Sequence, residues 1–192
     1  GFAVNTSSDD SPNCTACLEA KMTRRPYPSL AENRAKVPGE GYHCDVWGPV
    51  QTRSIGGFFY YISFIDDATR YLKVNFLKTK GEAMGRIEQH MAEVERKFGK
   101  APKWMRFDNG KELVNERTRE LAAKKGMEIQ TTAPYSPSQN GVAERVNRTL
   151  LDLARAMLLG RGLPSYLWDE AVSHGAYLRN RVLTSALPEK KT

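Results

Sequence analysis

Cysteine, histidine and long apolar runs are all scarce in this chain of 192 residues. Three cysteines (Cys14, Cys17 and Cys44) are an odd number, which does not build the disulfide framework of a small secreted domain and points to a reducing compartment. Histidine occurs only at His43, His90 and His174, and none precedes Cys14. No apolar run reaches the ~18 residues of a membrane span. The first ten residues (GFAVNTSSDD) lack the basic and long apolar regions of a signal peptide. What the chain does have is 40% apolar residues, with aromatics making up 9% of the whole chain, too many for a disordered polymer. It also has 29 lysines and arginines against 22 aspartates and glutamates, a formal charge of +7. Residues 1–41 hold five basic and five acidic side chains, so the whole excess lies in residues 42–192. A basic globular domain points to a polyanionic partner, usually nucleic acid or an anionic membrane, with a merely solvated basic surface as the alternative.

Residues 1–41 read as an appendage. They contain Cys14-Thr-Ala-Cys17 and a proline- and arginine-rich stretch with no sustained periodicity. From Tyr42 the texture changes. Residues 43–50, 58–65 and 70–77 read as three closely spaced strands rich in aromatic and β-branched residues, hence an antiparallel meander. Residues 80–98 carry an apolar stripe at helical spacing (Ala83, Ile87, Met91, Val94, Phe98), which leaves His90 on the polar side, and Gly99 reads as a C-cap. A short strand at 104–107, a helix at 115–125, a strand at 128–131 and helices ending near Leu159 and Arg181 follow. The order βββαβαβαα implies an α/β domain, a mixed sheet with helices packed on it.

Three acids stand out. Asp45 lies within an apolar strand, where a carboxylate must be paired, protonated or bound to a cation. Asp108 ends the fourth strand, and Glu144 lies near the start of a long helix after the breaker-rich segment 132–141. Singly, each has a plainer reading. Asp108-Asn-Gly is an ordinary turn, and Glu144 lies four residues before Arg148, the spacing of a surface ion pair. Asp66 and Asp67, adjacent in a hairpin, face opposite ways and read as turn formers. Cys44, on the face opposite Asp45, reads as a small core residue.

Together the acids form a pattern. Exactly spaced motifs surround them: His43-Cys-Asp45-Val-Trp-Gly-Pro, Gly56-Gly-Phe-Phe-Tyr-Tyr-Ile-Ser-Phe-Ile-Asp-Asp-Ala-Thr-Arg-Tyr71, Arg106-Phe-Asp108-Asn-Gly-Lys-Glu and Pro134-Tyr-Ser-Pro-Ser-Gln-Asn-Gly-Val-Ala-Glu144-Arg, with 35 residues between Asp108 and Glu144. In these blocks the sequence resembles the catalytic core of retroviral-type integrases, closest to those of copia-type LTR retrotransposons. The resemblance implies a ribonuclease-H-like fold with a five-stranded mixed sheet flanked by helices, in residues 42–192. It implies DNA integration by a polynucleotidyl transferase, with 3′-end processing and strand transfer, and two Mg²⁺ or Mn²⁺ ions held by Asp45, Asp108 and Glu144, a ligand chemistry suited to hard cations. It also implies that Tyr135, Asn140 and Arg148 face the donor DNA end. Where many retroviral integrases carry a further basic residue one turn beyond Arg148, this chain has Leu151, so either Arg155 takes over or the contact is absent.

The resemblance further implies that the Cys14/Cys17 pair belongs to a His-His-Cys-Cys zinc module whose histidines lie upstream. Residues 1–41 are then expected to be the remnant of that module plus a linker, without zinc. The partners implied are retrotransposon cDNA ends, target DNA and further copies of the chain as a dimer or larger oligomer, with no membrane. The implied place of work is the nucleus, after a cytoplasmic particle. Two other readings compete: a catalytically silent DNA-binding or assembly module derived from an integrase, and another ribonuclease-H-like nuclease.

Overall fold

A computed structural model describes residues 34–107, 113–131, 141–182 and 187. Contacts divide the chain into Gly1–Asn33 and Arg34–Thr192, and every described residue belongs to the second unit. The sheet contains β1 (Gly41–Trp47), β2 (Tyr60–Asp66), β3 (Leu72–Leu77), β4 (Trp104–Phe107) and β5 (Glu128–Thr131). Their spatial order is β3-β2-β1-β4-β5. The first three strands form the expected antiparallel meander, and β4 and β5 add to it in parallel. The helices are α1 (Ala83–Phe98), α2 (Glu116–Lys125), α3 (Gly141–Gly160) and α4 (Trp168–Arg179).

The helices divide between the two faces of the sheet, because each strand alternates its side chains. Tyr42, Cys44, Ile62, Phe64, Met105 and Phe107 are buried on one face with Ile87 and Met91 of α1 and Ala122 of α2. Tyr61, Ile65 and Leu72 are buried on the other with Val146 and Leu150 of α3 and Trp168 and Val172 of α4. Local chemistry sets the ends. Gly99 caps α1 at φ 71°, with its N–H donated to Glu95 O at 2.8 Å, and the side chain of Asn115 accepts Thr118 N at 3.0 Å to open α2. The predicted third strand starts two residues late, because Arg70 takes a left-handed φ of 62° in the hairpin turn. The first turns of the helices expected from Lys80 and Ser165 are 3₁₀.

Two expectations need correction. His90 is not on a polar side: it is 5% exposed, stacked on Phe64 at 4.1 Å and edge-on to Tyr42 at 4.6 Å. A helix lying on a sheet buries a wider arc than the single stripe suggested, and His90 follows Ile87 by three residues. The other concerns residues 34–40, placed with the appendage by their composition, which are tied to the β2–β3 hairpin. Asp67 Oδ2 accepts Ala35 N at 2.7 Å, Asp66 Oδ2 accepts Gly39 N at 2.6 Å, and Arg34 donates to the carbonyls of Asp67 and Ala68. Asp66 and Asp67 therefore clamp a distant segment as well as forming their turn. Cys44 is fully buried on the face opposite Asp45, as expected, and burial followed by the neighbouring Asp45 charge pushes its thiol well up.

Candidate active site

Alternation along β1 puts His43, Asp45 and Trp47 on the α3 face of the sheet. Asp45 is half-buried and registered opposite Ser63, whose hydroxyl donates to Asp45 O at 3.4 Å. Beneath α3 the Tyr61 hydroxyl is buried without a partner among the described residues. Burial, then the charge of Asp45, pushes its phenol up. On the other flank of β1, Phe107 is registered opposite Cys44. Phe107 precedes Asp108, and Cys44 precedes Asp45. Asp108, Tyr135 and Asn140 lie outside the described residues, as do Cys14 and Cys17.

Helix α3 meets β1 at Asp45. Asn147 is 4% exposed, and its Nδ2 donates to Asp45 Oδ2 at 2.7 Å. Its Oδ1 is buried with no partner among the described residues. Glu144 lies three residues before Asn147, so the two are neighbours on one side of the helix, with Cβ atoms about 5–6 Å apart. One hydrogen bond thus fixes the register of α3 against β1 and brings the Glu144 turn to the Asp45 strand. Glu144 and Arg148 are exposed, and no ion pair joins them. The surface-pair reading is therefore not what the helix forms. Leu151 packs against the α3–α4 core, and Arg155 donates to Asp152 at 3.1 Å.

Sequence reasoning missed Asn147. The available signal was its place between Val146 and Leu150, a polar residue within the buried arc of a helix, three residues after a singled-out acid. It also missed the buried group beside the site. His43 Nε2 lies 2.9 Å from Asp67 Oδ1, which also accepts Arg70 at 2.7 Å. Burial alone would raise Asp67, but the bonds from His43 and Ala35 N and the charge of Arg70 outweigh it and hold the carboxyl at about 2.

Among the described residues no three histidine, cysteine or acidic side chains gather into a metal cluster. The donors that are present suit a hard divalent cation. Asp45 and Glu144 offer carboxylate oxygens, the Cys44 sulfur is on the far face, and His43 is engaged by Asp67.

This sheet, with a carboxylate on its central strand and another on the helix crossing it, defines a class, and comparison agrees. The integrase core domain description matches residues 35–137, more than half of the chain, and the chain belongs to that family. Its relatives place it among copia-type retrotransposon integrase cores. It is 39% identical over 168 residues to the retrovirus-related Pol polyprotein of transposon TNT 1-94 of tobacco (Nicotiana tabacum), covering 88% of this chain and 13% of that protein. It is 30% identical to the Ty1-DR6 Gag-Pol polyprotein of Saccharomyces cerevisiae, covering 98% of this chain and 11% of that protein. The chain thus spans only 11–13% of the length of these curated relatives. Among solved structures, it matches a chain of the simian T-cell lymphotropic virus intasome with a TM-score of 0.68 at 21% identity, over 93% of this chain and 61% of that one. It matches the HTLV-2 integrase catalytic core domain in complex with magnesium with a TM-score of 0.59 at 18% identity, over 83% and 96%. The fold is that of the ribonuclease-H-like integrase cores.

Proposed function

We propose that this chain is the catalytic core of a polynucleotidyl transferase that inserts retrotransposon cDNA into target DNA. The observation that carries the reading is the Asn147–Asp45 hydrogen bond, which joins the helix of Glu144 to the strand of Asp45. In the proposed scheme Asp45, Asp108 and Glu144 hold divalent cations, Mg²⁺ or Mn²⁺, as a magnesium-bound neighbour of the same fold suggests. Such ions activate an attacking oxygen and stabilise a leaving one. Asn147 orients Asp45. In end processing, water attacks a phosphorus near the cDNA 3′ end, the P–O3′ bond breaks, and a 3′-hydroxyl is left. In strand transfer that hydroxyl attacks a target phosphodiester, one P–O bond forms as another breaks, and no covalent enzyme intermediate arises. Tyr135, Asn140 and Arg148 contact the donor end. Residues 34–192 form the catalytic unit. Assembly is a dimer or larger, and the work is nuclear.

The test is strand transfer of a duplex mimicking an element end, with Mg²⁺ or Mn²⁺. Asp45→Asn and Glu144→Gln are expected to abolish transfer while the folded protein still binds DNA, and Asn147→Ala to lower it about 10–100-fold, the usual cost of losing a residue that orients a metal ligand. Full transfer by Glu144→Gln would overturn the assignment. DNA binding without any transfer by the unaltered chain would favour the silent module, and cleavage of an RNA–DNA hybrid another nuclease of this fold.

A further inference from the structure

A cleft lies where the β2–β3 turn meets α1, α3 and α4, next to the helix that carries Glu144. Its volume is about 920 Å³, and its walls include Thr69, Arg70, Arg145, Thr149, Arg179 and Asn180. Arg70 takes a left-handed φ of 62°, a turn position where glycine costs nothing and another residue costs about 1–3 kcal/mol. Its side chain is 12% exposed and its guanidinium donates to Asp67 Oδ1 at 2.7 Å. Arg179 Nη1 donates to Arg70 O at 2.7 Å, which aims a second guanidinium at the same turn. Arg145 is exposed on α3, and its guanidinium makes no hydrogen bond or ion pair among the described residues.

The nearby carboxylates do not cancel this charge. Asp67 is shared by Arg70, His43 and Ala35 N, Asp66 accepts Gly39 N and Thr69, and Glu93 pairs with Lys73. Neither Arg145 nor Arg179 has an ion pair among the described residues. The charges sense one another: burial, and then in part the neighbouring arginines, lowers both Arg70 and Arg179. Helix geometry links the cleft to the site. Arg145 and Thr149 form the stripe of α3 next to that of Glu144 and Arg148, about 100° around the axis from one residue to the next.

We propose that Arg145 and Arg179 form a phosphate-binding surface for the DNA backbone, continuing from Glu144 and Arg148 along α3 to the β2–β3 turn, where Arg70, held by Asp67, anchors Arg179 through its carbonyl. The identity of the polyanion rests on the integrase reading. Thr69 and Thr149 border the surface with hydroxyls able to donate to phosphate oxygens. Bidentate guanidinium–phosphate geometry is what arginine does better than lysine, and these contacts would fix the DNA's path without reading its sequence.

The experiment measures binding of a short fluorescent duplex by anisotropy, in EDTA, between about 50 and 200 mM salt. The variants are Arg145→Gln, Arg179→Gln and, as a control of equal charge loss on the opposite face of the sheet, Lys125→Gln. Arg145→Gln should shrink the slope of log affinity against log salt by about 0.9, one phosphate contact, and weaken binding several-fold at the lower salt. Arg179→Gln should do the same, with thermal melting used to check its fold, and Arg145→Gln carries the test if Arg179→Gln melts early. Arg145→Gln matching Lys125→Gln in slope and affinity would overturn the surface. Strand transfer by the unaltered chain is measured in parallel. If it transfers strands while Arg145→Gln binds like the control, the surface fails and the integrase reading stands. If it transfers none while Arg145→Gln loses its slope, the surface stands and that reading fails.

Discussion

A carboxylate set into a sheet strand needs a donor, and Asn147 supplies one to Asp45 at 2.7 Å. The same scale explains His90. Both its ring nitrogens are buried without a hydrogen-bond partner among the described residues, and burial, then the charge of Lys73, pushes the imidazole down to about 4 from an ordinary 6.5. Between those two values the unfolded chain binds a proton that the folded chain does not, so stability is full above pH 6.5 and falls as the pH drops toward 4. The loss amounts to about 3 kcal/mol by pH 4. His43, also lowered chiefly by burial, adds a loss of the same sign below 6.5, and Asp67, held at about 2, adds one as the pH falls below 3.8. His90→Leu should therefore flatten the stability profile between pH 6.5 and 4 and leave the chain at least as stable at neutral pH, because two unsatisfied polar atoms are gone. Urea unfolding at several pH values checks both points, and an unchanged profile would contradict the burial argument.

At the scale of elements, β1 is the structural axis of the site. It pairs antiparallel with β2 and parallel with β4 while carrying Asp45. Its first residue must be glycine for steric reasons: a Cβ at Gly41 would lie 2.0 Å from Trp104 Cε2 on the neighbouring strand. Trp104 is itself fixed edge-on to His43 at 5.4 Å and beneath Arg106 at 5.2 Å, so it cannot give way without disturbing both. Gly41→Ala is expected to destabilise the domain by about 1–3 kcal/mol, the usual cost of overpacking, read as a lower urea midpoint. Wild-type stability in that variant would show that the β1–β4 junction repacks freely. α3 is the other element that matters, since Val146 and Leu150 seat it on the sheet and thereby place Asn147 and Glu144.

Across the whole molecule, the excess of positive charge lies in residues 42–192, and Arg70, Arg145 and Arg179 line one cleft next to the helix that carries Glu144. A divalent cation held by Asp45 and Glu144, as proposed above, should stabilise the native state. Mg²⁺ or Mn²⁺ at ~100 times its dissociation constant should contribute about 2.7 kcal/mol and raise Tm by about 5–10 °C. Asp45→Asn should abolish the shift. An equal rise in Asp45→Asn would place the ion elsewhere on the chain.

Much of the architecture was legible in the residues because it rests on periodicity, which is local. Runs of aromatic and β-branched residues marked the strands, the stripe at Ile87, Met91 and Val94 marked α1, and Gly99 marked its end. The acids were legible as residues set in recognisable motifs, and the family followed from those motifs. Tertiary structure alone decided what depends on partners far apart in sequence. Asn147 reaches Asp45 across 102 residues, Asp67 clamps Ala35 across 32, and Arg179 meets Arg70 across 109. Helix and strand patterns record which face of an element is buried. Which buried polar atom finds which partner is set by how those faces dock, and that is fixed only when the chain has folded.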